Sequence, residues 1–131
     1  MTSIRIKTTK SFTFDAAHFL PNHKGKCANM HGHTYRLDVT VIRDNGKLCN
    51  DGSDEGMVID FADLKAIVKA EVIDRMDHKV LNDVLPFRTT AENMVTHIFG
   101  ILTDKLQSTG VIVDRVKLWE TPDSYAEACY E

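Results

Sequence analysis

The sequence predicts an α+β domain in which two helices cover one face of a four-stranded antiparallel sheet, in the order β-β-α-α-β-β. Three observations predict it. Residues 4–41 hold two stretches of alternating apolar and polar side chains, residues 61–106 hold apolar residues at helical spacing, and β-branched residues return from 111 onward. A chain of 131 residues with only 7 Gly and 3 Pro is sized and composed for one core. A single domain over residues 1–131 is therefore expected, with no internal repeat and no linker.

Each element has its own signal. Over residues 4–18, Phe12, Phe14, Ala16 and His18 share one parity, as in a strand with one buried face. Residues 19–30, FLPNHKGKCANM, contain Pro, Gly and Asn without periodicity and read as a loop carrying Cys27. Alternation resumes at His31, with His33, Tyr35, Leu37, Val39 and Val41 on one face and Thr34, Arg36, Asp38 and Thr40 on the other. The stretch 43–56 holds Asn-Gly and Asp-Gly turn signals and leads to a short strand expected at Met57–Ile59. Asp60 is placed to cap a helix over 61–76, whose stripe is Leu64, Ile67, Val68, Val72, Ile73 and Met76. Thr89 followed by Glu92 fits a capping box for a second helix, with Ala91, Met94, Val95, Ile98, Phe99, Leu102 and Leu106 on its apolar side and Gly110 at its end. Residues 111–120 and 124–130 supply the last two strands.

Composition narrows the partner. With 16 basic and 19 acidic residues the net charge is −3, which disfavours a delocalised grip on nucleic acid and points to a small molecule or a protein. No run of 18 apolar residues occurs, so no membrane span is expected, and the N-terminus lacks a secretion signal, which places the chain in the cytoplasm. Three cysteines, Cys27, Cys49 and Cys129, cannot all pair, so free, metal-bound or catalytic sulfur is expected rather than a disulfide framework.

The chemistry concentrates around Cys27, His31 and His33. On a strand, side chains two apart project to the same face, so the two imidazoles of His31-Gly32-His33 can reach one ion, and His18 can add a third nitrogen if its strand is the neighbour. Three histidines with an open fourth position describe a catalytic zinc site; satisfied core histidines are the alternative. Cys27 suits either a fourth ligand or a thiolate that moves protons. Asp77-His78 is either an acid-base pair or a helix terminus, and Glu120, ending an apolar strand face, is either a buried anchor or a rim residue. His23, Lys24 and Lys26 attract an anion or form a solvated loop. His97 reads as a surface or packing residue, while Cys49 and Cys129 have no companion ligands.

Taken together, FDAAH at 14–18, CANMHGH at 27–33, MVIDFADLK at 57–65, DHKVLN at 77–82, TAEN at 90–93 and WET at 119–121 resemble the 6-pyruvoyltetrahydropterin synthase family over nearly the whole chain. The short chain, the FDAAH start and the WETPDSYAEA ending are most similar to its bacterial branch, which makes 6-carboxytetrahydropterin for queuosine. The resemblance implies a tunnelling fold whose trimers close their sheets into a barrel, two trimers often stacking, with active sites at subunit interfaces. It implies Zn2+ on His18, His31 and His33, Cys27 as proton acceptor, and Asp77 and His78 as a relay supplied by a neighbouring subunit. Glu120 is implied as the pterin anchor and part of the relay, with Thr90 contributing to pterin binding. The implied activity is a lyase converting 7,8-dihydroneopterin triphosphate to 6-carboxytetrahydropterin, acetaldehyde and triphosphate. Two alternatives stand beside it: the 6-pyruvoyl reaction, which eliminates triphosphate without releasing a two-carbon fragment, and a noncatalytic pterin- or metal-binding module.

Overall fold

Strands β1 (Thr8–His18) and β2 (His31–Arg43) form the antiparallel hairpin that the alternating residues predict, in a computed structural model that describes residues 4–131. Residues 1–3, the start of the expected domain, lie outside the described residues. The pairing runs from Thr8 opposite Val41 to His18 opposite His31. Phe14, Ala16 and His18 therefore share the buried face with Tyr35, Leu37, Val39 and Val41, and the Phe14 and Tyr35 rings stack with centroids 5.0 Å apart. β1 starts later than the alternation predicts: Ile4 and Ile6 find no partner strand among the described residues and stay exposed.

Helix α1 (Phe61–Val68), a π-wound segment (Lys69–Ile73) and α2 (Asp74–Met76) make one rod over the predicted 61–76. The Asp60 carboxylate caps it, accepting from the Ala62 N–H at 2.8 Å. Leu64, Val68, Val72 and Met76 are buried and recur every fourth residue. A 3.6-residue helix would let that row drift around the axis, and the wider π turn keeps it against the sheet. The same widening aligns Lys69 with Asp74, five residues on, in an ion pair of 2.8 Å.

The rest of the chain completes the layer. Strand β3 (Lys79–Val80) runs parallel to Ala16–Ala17 and leads into α3 (Leu81–Val84). Helix α4 (Ala91–Lys105) buries Met94, Val95, Ile98 and Leu102 in the core shared with the sheet, and β4 (Val111–Thr121) and β5 (Ser124–Cys129) close the chain. The sheet order is β3-β1-β2-β4-β5. Asn82 ties α3 to the end of β1: its side-chain amide donates to the Phe19 carbonyl at 2.9 Å, and its Oδ1 accepts from the Phe19 N–H at 3.0 Å.

Three expectations need correction. Among the described residues the sheet has five strands rather than four, because two-residue β3 is too short to carry a period. Residues 57–59 bury Val58 and Ile59 without forming a strand; the backbone there closes on Cys49 instead, through Cys49 N–H to Met57 at 2.9 Å and Gly56 N–H to Cys49 at 2.8 Å. The cap of α4 is Thr90, whose hydroxyl accepts from the Asn93 N–H at 3.2 Å, and not Thr89.

The face of the sheet away from the helices is polar, yet Asp38 there is only 7% exposed. Burial alone would raise its pKa; hydrogen bonds from Ser11 Oγ, Trp119 Nε1 and Arg36 Nε, with the Arg36 charge, outweigh burial and hold it below the usual carboxylate range. Asp38→Ala strands those donors and is expected to cost about 2 kcal/mol, or ~7 °C in Tm for a chain of this size. Because the folded pKa is depressed, the Asp38 contribution is complete above the unfolded pKa, about 3.9, and is lost as pH falls through the folded value. Thermal melts should thus show the gap between parent and variant closing in acid; a constant gap would contradict the assignment.

Candidate metal centre and active site

Three imidazoles meet where the β1–β2 hairpin opens. His18 is the last residue of β1 and His31 and His33 are the first and third of β2, so strand pairing sets all three on one face. Ring centroids lie 4.7 Å (His18–His31), 5.3 Å (His18–His33) and 4.8 Å (His31–His33) apart, and one ring nitrogen from each lies within 4.8 Å of the others. His18 Nδ1 is 2.9 Å from the Thr89 carbonyl and 3.0 Å from its hydroxyl. A carbonyl only accepts, so Nδ1 carries the proton and Nε2 keeps its lone pair. The Asn29 carbonyl, 2.7 Å from His31 Nδ1, fixes that ring in the same tautomer.

His33 Nε2 is buried and has no hydrogen-bond partner among the described residues; the nearest carboxylate, Glu120 Oε1, is 3.6 Å away, beyond hydrogen-bond reach. Burial, reinforced by the neighbouring His31, pushes the His18 pKa down, and burial lowers that of His33 against the opposing pull of Glu120. Convergent ring nitrogens, of which His33 Nε2 has no partner among the described residues and His18 Nε2 meets only a long contact from the Tyr35 hydroxyl at 3.4 Å, are arranged as ligands. A buried nitrogen without a partner beside two rings oriented by backbone carbonyls fits a metal ion.

Glu120 sits at the edge of this cluster and also lines a cavity of about 500 Å³ between the start of α4 and the β4–β5 hairpin, together with Glu92, Thr96 and Tyr125. The WET segment thus serves three ends. Trp119 bonds Asp38 behind the sheet, Glu120 faces the cluster, and the Thr121 hydroxyl bonds Asp123 in the turn at 2.8 Å. Tyr35, fully buried, places its hydroxyl 3.4 Å from His18 Nε2, and burial and then Glu120 raise its pKa, so it remains a phenol.

Cys27 is half-buried in a 3-10 turn (Lys26–Ala28) of the loop that joins β1 to β2. Its carbonyl accepts from the Leu20 N–H at 2.8 Å, which folds the loop back onto the end of β1. Among the described residues the sulfur is not one of the ligand atoms gathered with the three histidines.

Asp77 and His78 form a separate group with Asp15 at the edge of the sheet. His78 Nδ1 is 2.9 Å from Asp77 Oδ1, a contact between adjacent residues made possible by the left-handed backbone of His78 (φ 61°). The Asp15 N–H, foremost, and then His78 lower the Asp77 pKa, and the His78 N–H returns a bond to the Asp15 carbonyl at 2.6 Å. The His78 side chain is 77% exposed. This chain therefore brings together His18, His31, His33 and Glu120, and leaves Asp77 and His78 outside that cluster. Thr90 is engaged as the cap of α4.

Sequence reasoning missed Thr89 and Tyr35. Tyr35 had a signal, the parity it shares with His31 and His33. Thr89 had none, since its contact with His18 spans 71 residues.

The model of the family described as 6-pyruvoyl tetrahydropterin synthase matches residues 7–131. A Haemophilus influenzae protein named 6-carboxy-5,6,7,8-tetrahydropterin synthase is 40% identical, over 92% of this chain and 96% of its own. A Synechocystis protein of the same name is 44% identical, over 78% and 75%. The solved structure of Caenorhabditis elegans 6-pyruvoyl tetrahydropterin synthase superposes with a TM-score of 0.80 at 27% identity, covering 96% of both chains.

Proposed function

This chain belongs to the 6-pyruvoyl tetrahydropterin synthase family and is an enzyme of the lyase type, and from that premise we propose that it is a zinc-dependent 6-carboxytetrahydropterin synthase. It would act in the cytoplasm on 7,8-dihydroneopterin triphosphate and one water and release 6-carboxytetrahydropterin, acetaldehyde and triphosphate for queuosine synthesis. The observation that carries the reading is the convergence of three imidazoles, two oriented by backbone carbonyls and the third with a buried Nε2 unpartnered among the described residues, beside Glu120 and its cavity.

His18, His31 and His33 would hold zinc through ring nitrogens, the His18 and His31 rings being oriented by the carbonyls of Thr89 and Asn29. When bound, zinc supplies Lewis-acid chemistry, polarising side-chain oxygens and acidifying the adjacent C–H. Glu120 accepts hydrogen bonds from the ring N–H and amino groups of the pterin and so fixes the reacting carbon relative to the cluster. Thr90, the cap of α4 and the residue before the cavity-lining Ala91, contributes to pterin binding. Cys27, as thiolate, takes the proton from the side-chain carbon and returns it to the ring. The Asp77–His78 pair serves the Cys27 of a neighbouring copy.

Support for that last role comes from the sheet edges. Among the described residues β3 covers only the Ala16–Ala17 end of β1, and β5 is paired on one side alone. Pairing such edges between copies closes the sheets of three chains into the barrel of a tunnelling fold, with two trimers stacking, and removes the exposed backbone groups. The 77% exposed His78 lies at the β1 edge, where a neighbour would meet it.

Product analysis tests the reaction. Incubation of the zinc-loaded protein with the triphosphate should release one acetaldehyde per triphosphate. Triphosphate release with a pyruvoyl product and no acetaldehyde would move the chain to the 6-pyruvoyl reaction instead, the activity named for the C. elegans structure.

A further inference from the structure

We propose that the loop over residues 19–30 is the polyanion-binding element of this site, with the Lys24 and Lys26 ammonium groups donating to the triphosphate oxygens of the substrate. The inference rests on the pterin triphosphate reading above and adds the residues that select for the phosphates.

A chain of net charge −3 repels a polyanion, so capture of a triphosphate calls for a local reversal of sign. The loop FLPNHKGKCANM supplies one: it holds two lysines and no Asp or Glu. Both lysines are exposed, and neither has a carboxylate within ion-pair distance among the described residues, whereas Lys7, Lys69 and Lys117 are so paired.

The loop is also built and aimed. Its ends are His18 and His31, two of the three clustered imidazoles. Leu20 N–H to Cys27 O (2.8 Å) and His23 N–H to Leu20 O (3.1 Å) fold it back on the end of β1, and the Asn29 carbonyl orients His31. His23 is a bracing residue rather than an anion donor, because its Nδ1 accepts from the Gly25 N–H at 2.9 Å between the two lysines. A Cβ at Gly25 would stand 3.2 Å from the His23 ring, so a larger residue there would disturb the brace.

Reach supplies the last step. In the substrate the triphosphate hangs a few bonds from the carbons that Cys27 must deprotonate. Lys26 is the residue before Cys27, ~3.8 Å away along the backbone, and carries a long flexible stem with a compact charge at its end. A thiolate placed at the reacting carbons thus brings Lys26, and Lys24 two residues earlier, to the phosphates.

The test measures binding of 7,8-dihydroneopterin triphosphate and of unphosphorylated 7,8-dihydroneopterin to the zinc-loaded protein in the Cys27→Ala background, where turnover does not interfere. The expected result is that Lys24→Ala/Lys26→Ala lowers affinity for the triphosphate by about tenfold or more and leaves affinity for the unphosphorylated pterin and the zinc content unchanged. Lys24→Arg/Lys26→Arg should restore most of the preference. Lys105→Ala, which removes one charge at the last turn of α4, should leave it intact. Rising salt should erode the preference in the parent far more than in the double alanine variant. An unchanged ratio of the two affinities in the double variant overturns the proposal alone, as does an equal loss with Lys105→Ala. A parent protein that binds neither pterin overturns the underlying functional reading as well.

Discussion

Cys27→Ala should lower kcat by on the order of 10³ while leaving zinc content and pterin binding intact. The dissociation of the two effects is what the geometry requires. The sulfur lies outside the gathered ligand atoms, so its removal takes nothing from the metal. The loop around it is held through the Cys27 carbonyl, which bonds Leu20 at 2.8 Å whatever the side chain, so the fold of the loop survives as well. What is lost is the group that moves the proton. Product chromatography gives kcat and atomic absorption gives metal content. A variant that keeps activity within about tenfold of the parent removes the proton-transfer role, and one that sheds its zinc returns Cys27 to the ligand set.

His33→Ala should weaken metal binding by more than about 100-fold, exceeding the 10–100-fold cost typical of losing an outer-shell partner, and activity should fall with it. His33 contributes the buried Nε2 that has no other partner, so its loss leaves two donors where three converged. His97→Ala is the matched control, since His97 packs on Phe87 with ring centroids 5.2 Å apart and lies outside the cluster. Cobalt substitution reads the same centre optically: a spectrum without a sulfur charge-transfer band is expected from three imidazoles and oxygen. A metal stoichiometry unchanged in His33→Ala, or a strong sulfur band in the parent, would contradict the ligand set.

The histidine cluster was legible because strand parity is a local property. His18, His31 and His33 each announce their face through apolar neighbours two residues away, and pairing of adjacent strands then follows from chain order. Glu120 was half legible on the same ground: its parity with Val116 and Leu118 fixed the face, but only the fold shows that the face ends beside His33. Asp77-His78 was ambiguous because adjacent side chains normally diverge; the left-handed backbone at His78 that turns them together goes with an exchange of bonds with Asp15, 62 residues before Asp77. Thr89 and Thr90 show the limit most plainly. Either threonine could cap α4, and the choice is made by His18, which draws Thr89 into the core and leaves Thr90 to the helix. Strand β3 and the π turn depend on packing against neighbours and have no counterpart in the local text.

The hairpin that carries the histidines separates two kinds of change. A single residue inserted within β1 or near the start of β2 would reverse the side on which an imidazole emerges and dismantle the cluster, because strand geometry counts in twos. The length of the intervening loop does not enter that count. Descendants of this hairpin can therefore vary residues 21–26, and with them their appetite for one substrate tail or another, while Cys27, the Asn29 carbonyl that orients His31 and the three clustered imidazoles are kept.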